Sequence, residues 1–151
     1  MAEIQNLEQQ FGIPGVLRFV EGEGGLPMAH VASPLGEAEI SLQGAQLLTW
    51  KPKDEPPVVW LSPQAKFAPG KSVRGGVPVC WPWFGVHPTE TSYPAHGFAR
   101  TQMWGLLATS HDESGTRLVF ELQLNDVARM QWPAPFHLRL VMNIGRELTM
   151  E

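Results

Sequence analysis

The first apolar residues of the chain follow a helical spacing. Ile4, Leu7 and Phe11 occupy positions i, i+3 and i+7, so they fall on one face of a helix. Gly12 and Pro14 follow directly, and both residue types end helices. The pattern predicts a short amphipathic helix that packs one face on the body of a domain or serves as an arm for a partner.

After this helix, the spacing of apolar residues changes to the alternation of β-strands. Leu118, Phe120 and Leu122 alternate with polar residues, and the run 136–144 repeats the pattern. Asn125 lies between these two runs and can cap a helix of one or two turns. Shorter β-prone stretches, separated by breaks that contain Gly or Pro, cover residues 16–20, 28–32, 37–42, 45–51 and 58–61.

The composition agrees with many short strands joined by turns. The 151 residues include 15 Gly and 14 Pro, a spread that excludes long helices and coiled coils. Hydrophobic residues make up 43% of the chain, which is enough to bury a core. The sequence therefore predicts an all-β fold, an antiparallel β-sandwich with one or two short helices, in a single domain over residues 1–151.

The last residues predict a sheet that is not yet closed. Gly145 and Arg146 form a predicted hairpin turn, and residues 147–151 begin the returning strand. A strand that stops there leaves a sheet edge and apolar side chains uncovered. We therefore expect the chain to be the N-terminal portion of a longer protein, or one piece of a cleaved one, that lacks its C-terminal half. The open edge would also allow the chain to self-associate.

Charge and cysteine content exclude several classes of protein. The net charge of −4 and pI of about 5.7 argue against a nucleic-acid binder. The apolar stretches are far shorter than the roughly 20 residues that span a bilayer. Residues 1–10 do not resemble a secretory signal, and a single cysteine fits a reducing compartment. We therefore expect a cytoplasmic protein without nucleic-acid or membrane partners. Cys80, among apolar neighbours, is predicted to be a small buried residue rather than a nucleophile.

Candidate chemistry concentrates in residues 67–100. Arg74 precedes two glycines, so backbone can approach a ligand closely beside a guanidinium. Trp81, Trp83 and Phe84 supply flat faces that suit the C–H faces of a sugar ring, and His96 precedes a glycine on a predicted tight turn. Each feature has a structural alternative: a surface ion pair for the arginine, core packing for the aromatics, and a structural role for the histidine.

The same region carries four motifs in a specific order. They are GAQLLTWKP at 44–52, VWLS at 59–62, VRGGVPVCWPWFG at 73–85 and AHGFAR at 95–100. In this order they resemble the motifs of the hexose-6-phosphate mutarotases, the glucose-6-phosphate 1-epimerases of the aldose 1-epimerase (galactose mutarotase-like) superfamily. The resemblance extends over essentially the whole chain from about residue 16.

The resemblance implies a β-supersandwich of about twice this length. Such enzymes interconvert the α and β anomers of an aldohexose 6-phosphate, here glucose 6-phosphate, without a metal or nucleotide cofactor. It implies that Arg74 and Arg100 bind the sugar phosphate and that His96 donates or accepts a hydrogen bond in the sugar pocket. Trp83 and Phe84 complete the predicted pocket. The residue before the histidine also contacts substrate in relatives, but here it is Ala95, which offers only its backbone.

In the family, the catalytic base is a glutamate and the acid a histidine, and both come from the second half of the sandwich. Neither motif occurs in residues 1–151. The resemblance therefore implies that this chain carries no catalytic residue and is inactive alone. Two other hypotheses stay open: a non-catalytic sugar-phosphate binding module on the same fold, and a structural subunit whose open edge pairs with another chain.

Overall fold

The computed structural model describes residues 2–151, in which the chain forms two α-helices and two four-stranded sheets. The first sheet is a meander of four strands, and so is the second. In chain order the elements are α1 (Ala2–Phe11), β1 (Leu17–Glu21), β2 (Pro27–Ser33), β3 (Gly36–Ser41), β4 (Gln46–Pro52), β5 (Trp104–Asp112), β6 (Gly115–Leu122), α2 (Asp126–Gln131), β7 (Arg139–Ile144) and β8 (Leu148–Met150).

Every strand pair is antiparallel, and the two sheets share one hydrophobic core. The sheets approach each other where β2 lies near β6 and β3 near β7. The largest fully buried apolar side chains come from both sheets and from the connection between them: Leu17, Ile40, Leu47, Leu48, Phe98, Trp104, Leu118, Phe120, Met142 and Ile144. The predicted antiparallel β-sandwich is confirmed. Neither helix is long and apolar enough to cross a membrane.

The N-terminal helix packs on the body of the domain, as its apolar spacing predicts. Ile4, Leu7 and Phe11 contact the main core cluster. Two hydrogen bonds fasten the helix to different sheets. The Glu8 carboxylate accepts from the Phe19 amide of β1, and Thr109 Oγ1 of β5 donates to the Phe11 carbonyl oxygen. The alternative of a free partner-binding arm is therefore wrong.

Several local predictions are confirmed at their residues. Asn125 caps α2 by accepting a hydrogen bond from the Ala128 amide at 2.9 Å. The predicted hairpin at Gly145 returns the chain into β8, which pairs with β7. Strand β6 buries the alternating face that begins at Leu118.

Other elements differ from the sequence pattern. Strand β5 is not predicted, because a register shift between Leu106 and Ala108 interrupts its alternation. The run 58–61 forms no strand, and only Leu61 makes an isolated bridge, to Gly75. Cys80 is half-buried rather than buried.

The β3–β4 turn, residues 42–45, connects the first sheet to the second by hydrogen bonds. The Gly44 amide donates to the Gln102 carbonyl at 2.8 Å, and the Trp104 amide donates to the Leu42 carbonyl at 3.0 Å. These bonds bring the first sheet against the start of the second. Gly44 has φ +80°, and a Cβ there would lie 2.7 Å from the Arg100 carbonyl oxygen. Only glycine satisfies both the backbone angle and the close approach.

We expect Gly44→Ala to destabilise the fold by about 3 kcal/mol, because left-handed backbone strain adds to overlap with fixed backbone. Gly70→Ala is the matched control. Gly70 has φ +72°, but nothing lies within 4 Å of a Cβ at that position. It should lose only the strain component, about 1 kcal/mol. Urea denaturation measures both, and equal losses would contradict the role given to the close approach.

Candidate functional site

The six predicted site residues all lie in the long connection between β4 and β5. This connection forms isolated bridges and turns rather than regular strands. Its residues are mostly half-buried or exposed, and a short 3₁₀ turn at Ala99–Thr101 lies near its end. The residues are Arg74, Trp83, Phe84, Ala95, His96 and Arg100.

Arg74 has an exposed side chain on a firmly held backbone. The carbonyl oxygens of Val73 and Gly75 accept hydrogen bonds from Gln46 Nε2 at 3.2 and 2.6 Å. The carbonyl oxygen of Arg74 itself accepts from the Ser62 amide at 3.2 Å. Within residues 2–151, Arg74 forms no ion pair with a carboxylate. The surface ion-pair alternative is therefore wrong for this part of the chain, and the guanidinium is available to a ligand.

Arg100 is half-buried, whereas Arg74 is exposed, and the Arg100 guanidinium forms a hydrogen bond with the backbone of Ala95. Its Nη2 donates to the Ala95 carbonyl oxygen at 2.7 Å. Its Nε is buried and has no hydrogen-bond partner in the described part of the chain. The backbone of Arg100 packs directly against Gly44 of the β3–β4 turn. Ala95 therefore orients Arg100 through its carbonyl, while a direct substrate contact from Ala95 stays a prediction.

His96 occupies the tight turn that the following glycine predicts, with φ +68°. Its amide donates to the Gly85 carbonyl at 2.8 Å, and its Nδ1 accepts from the Gly85 amide at 3.1 Å. Because Nδ1 acts as an acceptor, the neutral ring carries its proton on Nε2 and can donate from there. At Gly97 a Cβ would overlap the Trp81 carbonyl, so the turn packs tightly on the aromatic segment.

The aromatic residues of the segment divide into packed and free side chains. Trp83 Nε1 donates to the Pro94 carbonyl at 2.9 Å, and its ring lies edge-on to Phe98 and stacks on Tyr93. Phe84 is 80% exposed, and within residues 2–151 its one aromatic contact is edge-on with His96, at 4.7 Å between ring centroids. The half-buried Trp83 therefore packs against neighbouring side chains, whereas Phe84 presents an open face, and a substrate contact by either residue stays a prediction.

Trp81 belongs to the packed group. Its ring lies 4.2 Å from Phe136 and 5.7 Å from both Phe98 and Trp132, measured between centroids. It therefore connects the candidate site to the segment between α2 and β7. Residues 136–138 of that segment form no regular structure, so the strand predicted at 136–144 begins at Arg139.

Both arginine-bearing segments are anchored to the same short stretch of the first sheet. Gly44 contacts the backbone of Arg100, and Gln46, two residues later, holds the backbone on both sides of Arg74. Gln46 is not among the residues predicted from the sequence. A glutamine inside an otherwise apolar strand segment is nevertheless a signal of buried hydrogen bonding.

Among the six candidate residues, the permanently charged side chains are the two arginines. In residues 2–151, no group of three or more His, Cys, Asp and Glu side chains is placed to hold a metal ion. The pKa of Asp112 is lowered by hydrogen bonds from Ser114, but Asp112 lies in the β5–β6 turn. A cavity of about 610 Å³ opens at Thr101 and Gln102, next in sequence to Arg100, and none of the six candidate residues lines it.

Comparison with known proteins gives consistent matches. The sequence model of the family described as aldose 1-epimerase matches residues 30–151. A Salmonella typhimurium protein named "Putative glucose-6-phosphate 1-epimerase" is 43% identical over 126 residues, which are 83% of this chain and 42% of that protein. A protein of the same name from Escherichia coli is 43% identical over 121 residues, covering 80% of this chain and 41% of that protein.

A solved structure agrees with these matches. The crystal structure of a Salmonella typhimurium "putative mutarotase" superposes with a TM-score of 0.83 at 39% sequence identity, covering 93% of this chain and 48% of that one. The chain therefore spans less than half the length of each of these three proteins.

Because Trp83 is packed and Phe84 is exposed, we expect their alanine variants to differ in stability. Phe84→Ala should change the free energy of unfolding by less than about 0.5 kcal/mol, because the side chain is exposed. Trp83→Ala should cost at least about 2 kcal/mol, because it removes packing and a hydrogen bond. Urea denaturation of both variants tests the division. A Phe84→Ala loss as large as that of Trp83→Ala would contradict a free Phe84.

Proposed function

The chain belongs to the aldose 1-epimerase family, and from that premise we propose that it forms the phosphate-binding part of a hexose-6-phosphate mutarotase. The whole protein would interconvert the α and β anomers of glucose 6-phosphate. The observation that carries this proposal is the pair of arginine segments fastened to one stretch of β-hairpin. The names of the relatives, which include glucose 6-phosphate, support the choice of substrate.

A phosphate dianion suits these two side chains. A guanidinium donates through several N–H groups in a fixed plane and stays charged at every physiological pH. Arg74 has no carboxylate partner among the described residues, and Arg100 keeps an unmatched Nε donor. Two such groups can bind a dianion even though the chain has a net charge of −4.

The sugar ring would lie beside the phosphate, over His96 and Phe84. The proton on His96 Nε2 can be donated to a sugar oxygen, since Nδ1 is occupied by the Gly85 amide. Phe84 presents an exposed ring 4.7 Å from the imidazole, and such a face can pack on the C–H groups of a pyranose. Trp83, held by its hydrogen bond to the Pro94 carbonyl, would form the packed part of the pocket.

The reaction needs one acid and one base. A base removes the proton from the anomeric hydroxyl while an acid protonates the ring oxygen, so the C1–O5 bond breaks and an open-chain aldehyde forms. Rotation about C1–C2 and closure on the opposite face return both protons and give the other anomer. We place both catalytic groups in the remainder of the longer protein, which makes that remainder the partner of this chain.

Arg74→Ala and Arg100→Ala in the full-length protein should each raise KM for glucose 6-phosphate by about 10- to 100-fold. Each removes a charge-assisted contact worth about 1.5–3 kcal/mol. Arg117→Ala, at an exposed position of β6, is the matched control and should leave KM unchanged. Anomer exchange followed by NMR gives the constants. Unchanged KM in both site variants would remove the phosphate-binding assignment.

We further expect the full-length protein to accelerate anomer exchange and the 151-residue chain to leave it at the spontaneous rate, because the proposal assigns the acid and base to the remainder of the longer protein. The measurement is magnetisation exchange between the two anomers of glucose 6-phosphate. Binding without acceleration by the full-length protein would instead favour the non-catalytic binding module. Size-exclusion chromatography of the 151-residue chain tests the edge-pairing hypothesis, which a stable monomer would contradict.

A further inference from the structure

Gln46 is a buried amide that brackets Arg74. It occupies the first position of β4, and only 1% of its surface is exposed. Its Nε2 donates to the carbonyl oxygens of Val73 and Gly75, the residues immediately before and after Arg74. We propose that Gln46 is a positioning residue for phosphate recognition: its amide fixes the backbone from which the Arg74 guanidinium extends. This inference rests on the proposed function.

The geometry leaves the amide one orientation. An NH₂ group has two protons, and both are used by the two carbonyls. A flipped amide would place Oε1 against two carbonyl oxygens, an arrangement that burial makes unfavourable. Gln46 Oε1 is itself buried without a hydrogen-bond partner in residues 2–151. The fold therefore leaves an acceptor unpaired while it keeps both donors on the Arg74 segment.

Residues 73–76 belong to no regular strand, so no continuous strand pairing fixes their backbone. The remaining hydrogen bonds come from single contacts: the Ser62 amide to the Arg74 carbonyl at 3.2 Å, and the Gly76 amide to the Trp60 carbonyl at 2.7 Å. Residues 73–75 thus offer three consecutive carbonyls, two of them held by one side chain. Without Gln46, this segment would have to find other partners or move, and the guanidinium would move with it.

A fixed backbone favours binding because it limits the entropy that is lost on binding. The arginine side chain already loses conformational freedom when it binds an anion. If the loop also had to become ordered, binding would weaken further. Removing Gln46 should therefore weaken phosphate binding without touching the ligand. It should leave the chemical step unchanged, since the acid and base act at the other end of the sugar.

Gln43 provides an internal comparison. It lies in the β3–β4 turn that precedes Gln46 and is 4% exposed, and its Nε2 donates to the Ala68 and Lys71 carbonyls at 3.2 and 2.8 Å. Its Oε1 accepts from the Gly70 amide at 2.7 Å. Gln43 thus holds residues 68–71 as Gln46 holds 73–75, but among the described residues its side chain forms no hydrogen bond with Val73 or Gly75. Loss of either amide should destabilise the fold, and only loss of Gln46 should alter the arginine.

The test uses full-length protein with Gln46→Met and Gln43→Met, which keep side-chain length and remove the amide. Gln46→Met should raise KM for glucose 6-phosphate, and Kd for inorganic phosphate, by about tenfold with kcat changed less than twofold. Gln43→Met should lower Tm by a similar amount with KM and Kd unchanged. Equal effects of the two variants on phosphate Kd would overturn the inference, because a general loss of stability would then explain both.

A double-mutant cycle separates positioning from other effects. In an Arg74→Ala background, Gln46→Met should cause no further rise in phosphate Kd, because the residue it positions is gone. An undiminished rise in that background would overturn the inference. Gln46→Asn, one methylene shorter, keeps an amide that cannot reach both carbonyls and should show the same cycle with a smaller loss of Tm, so the test holds if the methionine variant fails to fold.

The two proposals fail in different ways. Wild-type protein that binds phosphate but leaves anomer exchange at its spontaneous rate overturns the proposed function, and the cycle on phosphate Kd still decides the role of Gln46. Wild-type protein that is active, with phosphate Kd insensitive to Gln46→Met, overturns the inference alone. Wild-type protein that binds neither phosphate nor glucose 6-phosphate overturns both.

Discussion

The structure depends on how one β-hairpin satisfies the backbone of a long irregular connection. Between β4 and β5 the chain forms only isolated bridges, yet half-buried carbonyls and amides still need hydrogen-bond partners. The β3–β4 turn and the start of β4 supply them. Gln43 and Gln46 donate from their side chains, and the Leu47 carbonyl accepts from the Val77 amide at 2.8 Å. Buried glutamines of this hairpin thereby supply hydrogen bonds to residues 68–75 that a neighbouring strand would otherwise supply.

In this arrangement the side chains of Arg74 and Arg100 extend from backbone that is itself held by hydrogen bonds or close packing. Arg74 is presented to solvent, but its peptide groups are fixed by buried donors. Arg100 reaches the surface through a 3₁₀ turn whose backbone lies against Gly44. Since Gly44 and Gln46 are two residues apart on the same hairpin, any movement of that hairpin would shift both arginine segments together. The two arginine segments are therefore attached to the core through the same short stretch of the first sheet.

The elements that could be predicted from the sequence are those with a local cause. The amphipathic spacing of α1, the cap at Asn125 and the alternation of β6 are properties of a few neighbouring residues. Strand β5 could not be predicted, because the bulge between Leu106 and Ala108 removes the period on which a strand is recognised. For the candidate site, the ordered motifs drew attention to residues 44–100. The motifs do not show that Trp83 is packed and Phe84 exposed. That difference depends on the contacts of Trp83 with Tyr93 and Phe98, which lie ten and fifteen residues later in the chain.

Ala95 contributes to the candidate site through its backbone. Alanine has no side-chain donor, so in this chain the position can contribute only peptide groups and a methyl group. Its carbonyl accepts from Arg100 Nη2 at 2.7 Å, across a turn in which His96 also bonds to Gly85. The peptide at Ala95 thus connects the histidine to the arginine, and the geometry of one constrains the other. Phosphate recognition and sugar recognition would then be coupled through a single turn of backbone, since displacement of either side chain strains the hydrogen bonds that hold its neighbour.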